Sequence, residues 1–331
     1  MKIWYDACTG KHMRYGVAIA KKLRATGHKV ILTTREHPDT VPLANFLGEK
    51  PIIVGRYNPK SLLSRLKEGA RRQLVFCKIF EKDTPDVAIS HGSVDQIRVA
   101  FGLGIPTITT VDTPYAEAVH RLTLPLADYI IASKAIPKET LQAYNVSGKI
   151  IHFDGVDEVA WIKDFKPLVK YDFGSPLIVV REIEEKAVYV KERFSSMSLA
   201  KKLTKLGKVV YLPRYHRKTI KDLIIPKGYI DTASLTAQAD LFIGVGGTIT
   251  REAALQGTPA IVVNFFQKQH VNDYLAEKGF PIFKADLSEV FGLAEKLIGK
   301  KWDVSALLSE LENPVNAIYN IVEGLGQTRK A

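Results

Sequence analysis

The sequence has 331 residues, and its fractions of 46% hydrophobic and 25% charged residues are typical of globular proteins and exclude a disordered chain. No apolar run approaches the ~18 residues of a membrane-spanning helix. The net charge of +12 leaves nucleic acid, an anionic membrane surface and a phosphate-bearing substrate as candidate partners, but nucleic acid is not expected because no DNA- or RNA-binding motif is visible.

The N-terminal residues do not resemble a signal peptide, because Asp6 follows Met1 too closely for an apolar core. We therefore expect a cytoplasmic protein, and peripheral attachment to the inner face of the membrane stays open. Cys8 and Cys77 lie far apart with no second cysteine near either, so neither a disulfide framework nor a metal motif is predicted. Abundant Lys, Arg and Glu with few Met and Cys would also suit a thermophile.

The first half of the chain alternates short β-branched runs with amphipathic stretches. This alternation predicts βαβ units and a parallel sheet. Between the first two runs, Val17, Ile19, Ala20 and Leu23 share one helical face, and Gly27 follows where a C-terminal cap is favoured. The predicted strands are Lys2–Tyr5, Lys29–Thr33, Ile52–Val54, Val87–Ser90, Thr107–Thr110, Tyr129–Ala132 and Lys149–Phe153.

The same alternation restarts after a polar stretch that ends at Pro167, so we predict two domains, 1–165 and 166–331. The final stretch Pro314–Leu325 has an apolar face that must pack against something, and packing on the first domain stays open. The fold class predicted is α/β, with two Rossmann-like domains whose parallel sheets face a central cleft. The strands predicted for the second half are Leu177–Val180, Lys208–Tyr211, Leu241–Gly244 and Ala260–Val263.

Polar side chains follow three predicted strands of the first domain. Asp6 and His12 come after the first strand, His91 and Ser93 after the fourth, and Asp112 after the fifth. Ligands bind at the carboxyl ends of parallel strands, so these loops are candidate substrate contacts. A histidine can exchange a proton near neutral pH. The alternatives are local roles, in which His12 hydrogen-bonds within its loop and Asp112 forms a turn.

The most informative segment is the glycine-bearing turn after the predicted strand Leu241–Gly244. Gly246, Gly247 and Thr248 lie between this strand and an alanine-rich helix, so backbone N–H groups and a helix N-terminus converge there. We expect an anion such as phosphate at this point. Glu252, one turn into the helix, is placed to accept hydrogen bonds from ribose hydroxyls. The alternative is a turn needed only for packing, with Glu252 stabilising the helix dipole.

Two arginines follow predicted strands of the second domain. Arg181 comes after the strand Leu177–Val180, and Arg214 comes after the strand Lys208–Tyr211. A guanidinium group at either position could neutralise a diphosphate. Each arginine could equally form a surface ion pair, and the sequence does not decide between these roles.

The segment Ala239–Pro259 resembles the donor-binding motif of the GT-B glycosyltransferase and UDP-N-acetylglucosamine 2-epimerase superfamily. More narrowly, the chain resembles an archaeal family of uncharacterised predicted glycosyltransferases, through Pro85–Ser93, Ala100–Pro106 and Arg121–Asp128. The resemblance spans most of the chain. It implies a GT-B fold in which the C-terminal domain binds a nucleotide sugar and the N-terminal domain binds the acceptor.

The resemblance also implies roles for the residues that match the donor-binding motif. Gly246, Gly247 and Thr248 would contact the diphosphate, and Glu252 would bind the ribose. Gln269 lies in a segment similar to a glutamine-bearing turn near the donor sugar, so it would contact sugar hydroxyls. Its alternative role is simply to begin a helix.

Acid–base roles follow from the resemblance in the first domain. Transferases of this superfamily often carry the base that activates the acceptor in the loop of His12, and Asp112 is the second candidate. Asp6, His91 and Ser93 are expected on the acceptor side. In the epimerases the matching regions supply acidic groups, but Ser93 stands where an aspartate is expected, although Asp112 lies near the place of a glutamate.

We therefore predict a metal-independent glycosyltransferase that needs no cofactor and uses a nucleoside-diphosphate sugar, with a UDP-sugar favoured. The acceptor stays open, and a lipid-linked acceptor is among the alternatives. The oligomeric state is not predicted. Two other functions stay open: an enzyme like the UDP-N-acetylglucosamine 2-epimerases, and a protein that binds a nucleotide sugar without catalysis.

Overall fold

A computed structural model of the protein describes residues 1–182, 196–214, 219–263 and 268–328. The chain forms two compact units. The first comprises Met1–Trp161 and Leu311–Ala331, and the second comprises Ile162–Glu310. The chain thus leaves the first unit after Trp161, shortly before the predicted boundary after residue 165, and returns to that unit at Leu311.

The first unit is organised around a parallel sheet. Its strands are β1 (Lys2–Ala7), β2 (Lys29–Glu36), β3 (Ile52–Arg56), β4 (Val87–Ser90), β5 (Thr107–Val111), β6 (Tyr129–Ser133) and β7 (Lys149–Phe153). Their order is β3-β2-β1-β4-β5-β6-β7, and all neighbouring pairs are parallel. The order reverses between β1 and β4, so the carboxyl ends of these two strands form a topological switch point, where ligands bind in open α/β sheets.

Helices connect these strands. They are α1 (Gly10–Ala25), α2 (Thr40–Phe46), α3 (Leu62–Phe80), α4 (Val94–Gly102), α5 (Glu117–Thr123), α6 (Lys138–Gln142) and α7 (Val159–Ile162), with a 3₁₀ turn at Leu124–Leu126. Helix α1 begins where the side chain of Thr9 accepts a hydrogen bond from the backbone N–H of His12. Gly27 follows the helix with φ of +86°, a conformation that favours glycine.

The core of the first unit beside α3 is centred on Trp4. The ring centroids of Phe76 and Phe80 lie 4.8 and 4.5 Å from that of Trp4. Full burial stabilises a side chain of the size of phenylalanine by about 1.5–3 kcal/mol. Trp4 Nε1 donates a 2.8 Å hydrogen bond to Oγ1 of Thr33, which satisfies the polar group of the buried indole.

The second unit contains a second parallel sheet. Its strands are β8 (Leu177–Arg181), β9 (Lys208–Leu212), β10 (Leu241–Gly244), β11 (Ala260–Val263) and β12 (Ile282–Ala285), in the order β12-β11-β10-β8-β9. Its helices are α8 (Ser196–Leu203), α9 (Thr232–Gln238), α10 (Thr248–Ala254), α11 (His270–Glu277), α12 (Val290–Leu297) and α13 (Ser305–Glu310). The apolar residues of the central strands β8, β10 and β11 are buried.

The last helix, α14 (Pro314–Thr328), belongs to the first unit and packs on α1. Its apolar face contributes the buried residues Val315, Ile318 and Val322. Each strand predicted from the sequence is present, and β12 was not predicted. Among the residues that the structure describes, we find no helix with both the length and the hydropathy to cross a bilayer.

Candidate functional site

A glycine turn joins β10 to α10 in the second unit. Gly246 has φ of +90°, a left-handed backbone conformation that favours glycine. A Cβ atom at this position would also collide with the side-chain amides of Gln269 and Asn272. The backbone conformation at residue 246 therefore favours glycine, and any side chain there would also have to displace these two amides.

The side-chain amides of Gln269 and Asn272 hold this turn in place. Gln269 Nε2 donates to the carbonyl of Val245 at 2.9 Å, and Asn272 Nδ2 donates to the carbonyl of Gly246 at 2.8 Å. Asn272 Nδ2 also donates to Oε1 of Gln269 at 2.6 Å. Gln269, predicted to contact a donor sugar, thus uses its amide within the protein. The sequence alone did not single out Asn272, and the preceding Gln267 lies outside the described residues.

Gly247 and Thr248 form the open part of the turn. A Cβ atom at Gly247 would meet no heavy atom within 4 Å. Gly247 is the N-cap residue of α10, and it supplies no side-chain acceptor to the first helical turn. The N-terminus of a helix carries a partial positive charge. Open backbone beside an uncapped helix end is an arrangement that suits an anion.

Glu252 lies one turn into α10 and is buried, with 1% of its surface exposed. Its Oε2 accepts a 2.6 Å hydrogen bond from Oγ1 of Thr232, the first residue of α9. The burial of a carboxylate is tolerated only with such donors. Thr232 therefore supplies one of the hydrogen bonds that stabilise the buried carboxylate.

Arg181 and Arg214 lie at the edge of the sheet that carries the glycine turn. Arg181 ends β8, which pairs with both β9 and β10, and Arg214 follows β9. Arg181 Nη1 donates to the carbonyls of Leu212 at 3.4 Å and Pro213 at 3.3 Å. Arg214 Nε donates to the carbonyl of Glu182 at 3.1 Å. The structure therefore brings both arginines to the predicted edge, where loop carbonyls orient them.

In the first unit, an ammonium group lies among three carboxylates. Lys11 Nζ is 2.5 Å from Oδ2 of Asp112 and 2.8 Å from Oδ2 of Asp157. Oε1 of Glu158 is 3.7 Å from the same ammonium. Asp157 and Glu158 are buried, so water screens these charges only weakly. The sequence reasoning missed Lys11, Asp157 and Glu158.

His91 completes this group of residues. Its Nε2 lies 3.3 Å from Oδ1 of Asp112, and its Nδ1 lies 2.6 Å from Oγ1 of Thr110. The distance from Nδ1 to Oδ2 of Asp157 is 3.7 Å. Such contacts fix the orientation of an imidazole ring. We call the five residues Lys11, His91, Asp112, Asp157 and Glu158 the acidic cluster.

His12 packs edge-on against the ring of His91, with a centroid distance of 4.7 Å. Burial lowers the pKa of His12 well below its usual value, and the charges of His91 and Lys11 lower it further. His12 is therefore neutral at pH 7, which is the form that can accept a proton. Among the described residues, none hydrogen-bonds to its buried Nδ1.

Asp6 and Ser93 come together in a buried network. Asp6 Oδ2 accepts a 2.6 Å hydrogen bond from Oγ of Ser93, and Asp6 Oδ1 accepts one of 2.8 Å from Nη2 of Arg72. Arg72 Nη1 is also paired with Asp95 at 2.7 Å. Asp6 and Ser93 were predicted to face an acceptor, but full burial leaves neither side chain at the surface. Their contacts instead join β1 to α3 and α4.

Three members of the acidic cluster have the geometry of a metal site. His91, Asp112 and Asp157 each offer one ligand atom, and these atoms lie within 4.8 Å of one another. The ammonium of Lys11, however, lies within 2.8 Å of both carboxylates. A divalent cation at this position would be repelled by the positive charge of Lys11 and would have to displace it. The three residues are therefore better suited to the ammonium group of Lys11 than to a metal ion.

Two comparisons of the sequence with known proteins agree. The sequence profile of the family described as "Protein of unknown function (DUF354)" matches residues 1–325. An uncharacterized protein of Methanocaldococcus jannaschii is 31% identical to this chain, and the alignment covers 97% of this chain and 98% of that protein. Both matches therefore extend over nearly the whole chain.

Solved structures share the fold at low sequence identity. The UDP-GlcNAc 2-epimerase of M. jannaschii, in complex with UDP-GlcNAc and UDP, is 15% identical, with a TM-score of 0.68 and coverage of 98% of this chain and 99% of that chain. A glycosyltransferase of Streptomyces sp. SF2575, complexed with thymidine diphosphate, is 16% identical, with a TM-score of 0.56 and the same coverage. This likeness confirms the predicted GT-B fold class of two Rossmann-like domains with parallel sheets.

Proposed function

The chain belongs to the family described as "Protein of unknown function (DUF354)", and we propose that this protein is a glycosyltransferase that uses a nucleoside-diphosphate sugar as its donor. The glycine turn between β10 and α10 is the observation that carries the proposal. The nucleotides in the two structural relatives support it, because both contain a nucleoside diphosphate.

The glycine turn is assigned to the diphosphate of the donor. The absence of a side chain at Gly247 lets phosphate oxygens approach the backbone, and the N-terminus of α10 adds a favourable dipole. Arg181 adds a positive charge beside Gly244, at the end of the neighbouring strand. These groups would stabilise the negative charge that develops on the diphosphate as the bond to the sugar breaks.

Glu252 is assigned to the ribose. It lies on the same helix as Thr248, one turn from the phosphate site, so its negative charge is set back from the diphosphate. Thr232 already donates to its Oε2, and this hydrogen bond fixes the carboxylate orientation before the nucleotide arrives. Because only 1% of the surface of Glu252 is exposed, ribose hydroxyls would reach its carboxylate once the residues that cover it move aside.

His12 and the acidic cluster are assigned to acid–base chemistry. The neutral imidazole of His12 would take the proton of an acceptor hydroxyl while the acceptor oxygen bonds to the anomeric carbon of the sugar. The nucleoside diphosphate leaves with the electron pair of the broken bond. Asp112 is the second candidate base, and its Oδ2 is paired with the ammonium of Lys11 at 2.5 Å.

A second function is favoured by one specific observation. The acidic cluster concentrates Asp112, Asp157 and Glu158 around one ammonium group, more carboxylates than a single acceptor base requires. An epimerase that moves a proton at the second carbon of the sugar and eliminates the nucleotide would use several such groups. A UDP-N-acetylglucosamine 2-epimerase-like reaction is therefore the alternative proposal.

Calorimetric titration with UDP, GDP, dTDP and CDP tests the donor site. We expect saturable binding with a preference for one base, UDP being favoured. Failure of all four nucleotides to bind would overturn both enzymatic proposals. The preferred nucleotide sugar is then incubated with and without a panel of acceptors. Release of the nucleotide only with an acceptor supports a transferase, whereas a C2-epimerised product without acceptor supports the epimerase. Binding with no turnover would instead indicate a non-catalytic binding protein.

A further inference from the structure

Helix α3 presents large apolar side chains to solvent. Leu62 is 78% exposed, Leu66 is 70% exposed and Leu74 is 66% exposed. The face that this helix buries instead includes two charged residues, Glu68 and Arg72. A surface helix normally buries its leucines and exposes its charges. The exposed leucines therefore call for an explanation beyond the packing of the unit.

Most of the exposed apolar residues of α3 form one stripe, which also includes Gln73, whereas Val75 is 40% exposed and lies outside it. At 100° per residue, Leu62, Leu63, Leu66, Ala70 and Leu74 fall within an arc of about 120° on the helix. On the same projection the buried residues Glu68, Arg72 and Phe76 adjoin the stripe on the side of Leu62. The stripe runs along most of the helix, which is long enough to lie flat on a surface.

The charges beside this stripe are positive. The exposed residues Lys67, Arg71 and Lys78 lie along one edge of the stripe, and Arg65 lies at the other edge. Glu68 is the only acidic residue in the sequence of the helix, and it is buried. The Oε1 atom of Glu68 lies 3.1 Å from Nε of Arg56 and 3.3 Å from Nη1 of Arg71. The solvent-facing side of α3 is therefore apolar in the middle and basic at its borders.

We propose that this face of α3 docks the protein on an anionic lipid bilayer. Leucines would enter the boundary between headgroups and acyl chains, while the bordering lysines and arginines would contact lipid phosphates. A second copy of the chain is a poorer partner, because two such faces would bring their basic borders together. Nucleic acid would match the charge but would leave the leucines in contact with a polar surface. The surface belongs to the first unit, whereas the proposed nucleotide site belongs to the second.

Co-sedimentation with vesicles tests this surface. The full chain is mixed with vesicles of phosphatidylcholine alone, or with about one third phosphatidylglycerol. We expect binding only to the anionic vesicles, weakening as salt is raised. The double variant Leu62→Ser, Leu66→Ser should bind these vesicles at least about tenfold more weakly than the parent. The double variant Lys67→Glu, Lys78→Glu should show a loss of the same size. Leu168→Ser removes a leucine that is 59% exposed in the second unit, and this control should bind like the parent.

Three results would overturn the proposal. One is failure of the parent protein to bind anionic vesicles. Another is equal binding by the parent and the Leu62→Ser, Leu66→Ser variant, because adsorption by charge alone would then suffice. The third is a dimer in sedimentation velocity that this variant converts to a monomer, which would make the face a contact between copies. Thermal unfolding of each variant confirms that the exposed substitutions leave the fold intact.

Discussion

The ammonium of Lys11 lies 2.5 Å from Oδ2 of Asp112, although the two residues are 101 positions apart in the sequence. This contact joins the first turn of α1 to the end of β5. It also places a positive charge where Asp112, Asp157 and Glu158 would otherwise repel one another. The arrangement of the acidic cluster therefore depends on Lys11.

Replacement of Lys11 by methionine should strongly destabilise the protein. The change leaves the buried carboxylates without their ammonium, and loss of one partner from a buried ion pair costs about 3–5 kcal/mol. Urea unfolding at pH 7 measures the difference. The control is Lys21→Met, on the exposed side of the same helix, which should change stability by no more than about 0.5 kcal/mol. Equal stability of both variants would show that Lys11 does not hold the cluster together.

The lowered pKa of His12 predicts a pH dependence of stability. Burial holds this pKa well below its ordinary value of 6.5, which applies in the unfolded chain. Between these two values the unfolded state binds more protons, so the free energy of unfolding falls as pH drops below about 6.5. His12→Gln should remove this contribution and flatten the slope by up to about 1.4 kcal/mol per pH unit.

Urea unfolding of the parent and the His12→Gln variant between pH 7 and pH 5 measures the two slopes. His152→Gln is the matched control, because this ring is only partly buried and its pKa is lowered less strongly. Its slope should stay closer to that of the parent. Parallel curves for the parent and His12→Gln would mean that His12 is not held neutral by the fold.

Replacement by alanine should have different effects at the two glycines of the glycine turn. Gly246→Ala forces a side chain into a left-handed conformation and against the amides of Gln269 and Asn272, so we expect a loss of stability of about 1–3 kcal/mol. Residue 247 has a negative φ and open space around the Cβ position. The melting temperature of the Gly247→Ala variant should therefore match that of the parent. Its methyl group would nevertheless block a phosphate, so calorimetry should show weaker nucleotide binding. If the Gly247→Ala variant binds the nucleotide with unchanged affinity, the diphosphate does not bind at this turn.

Glu252→Ala should weaken the binding of the preferred nucleotide by about 1.5–3 kcal/mol, because the ribose would lose hydrogen bonds to a charged acceptor. Titration calorimetry measures the effect, and circular dichroism checks that the variant is folded. Glu295→Ala removes an exposed carboxylate from α12 in the same unit and should bind like the parent. If both variants bind equally well, Glu252 does not contact the ribose.

Most strands could be predicted because buried parallel strands are short runs of β-branched residues. The exception is β12, where Phe283 is only half-buried and Lys284 is exposed. It lies at the edge of its sheet, so only part of its sequence carries the hydrophobic signal. The glycine turn could also be located, since a strand, glycines and a helix follow one another within a short segment.

The acidic cluster could not be assembled from the sequence. His91 and Asp112 are visible as polar residues at strand ends. Asp157 follows β7, which is separated from β1 by β4, β5 and β6, so strand order alone does not predict its contact with Lys11. Helix α3 shows the other limit. Hydrophobic patterning predicts that leucines are buried, whereas this helix buries Arg72 and exposes Leu66. Arg72 can be buried because Asp6 and Asp95 form ion pairs with its guanidinium group.

The position of α14 has a consequence for synthesis of the chain. The first unit is interrupted after Trp161 and is completed only by residues from Leu311 onward. A ribosome adds about 5–20 residues per second, so roughly 8 to 30 seconds separate the two parts. During that interval no residue of α14 covers the surface of α1 on which this helix packs. The nascent first unit therefore stays partly exposed until α14 has been synthesised.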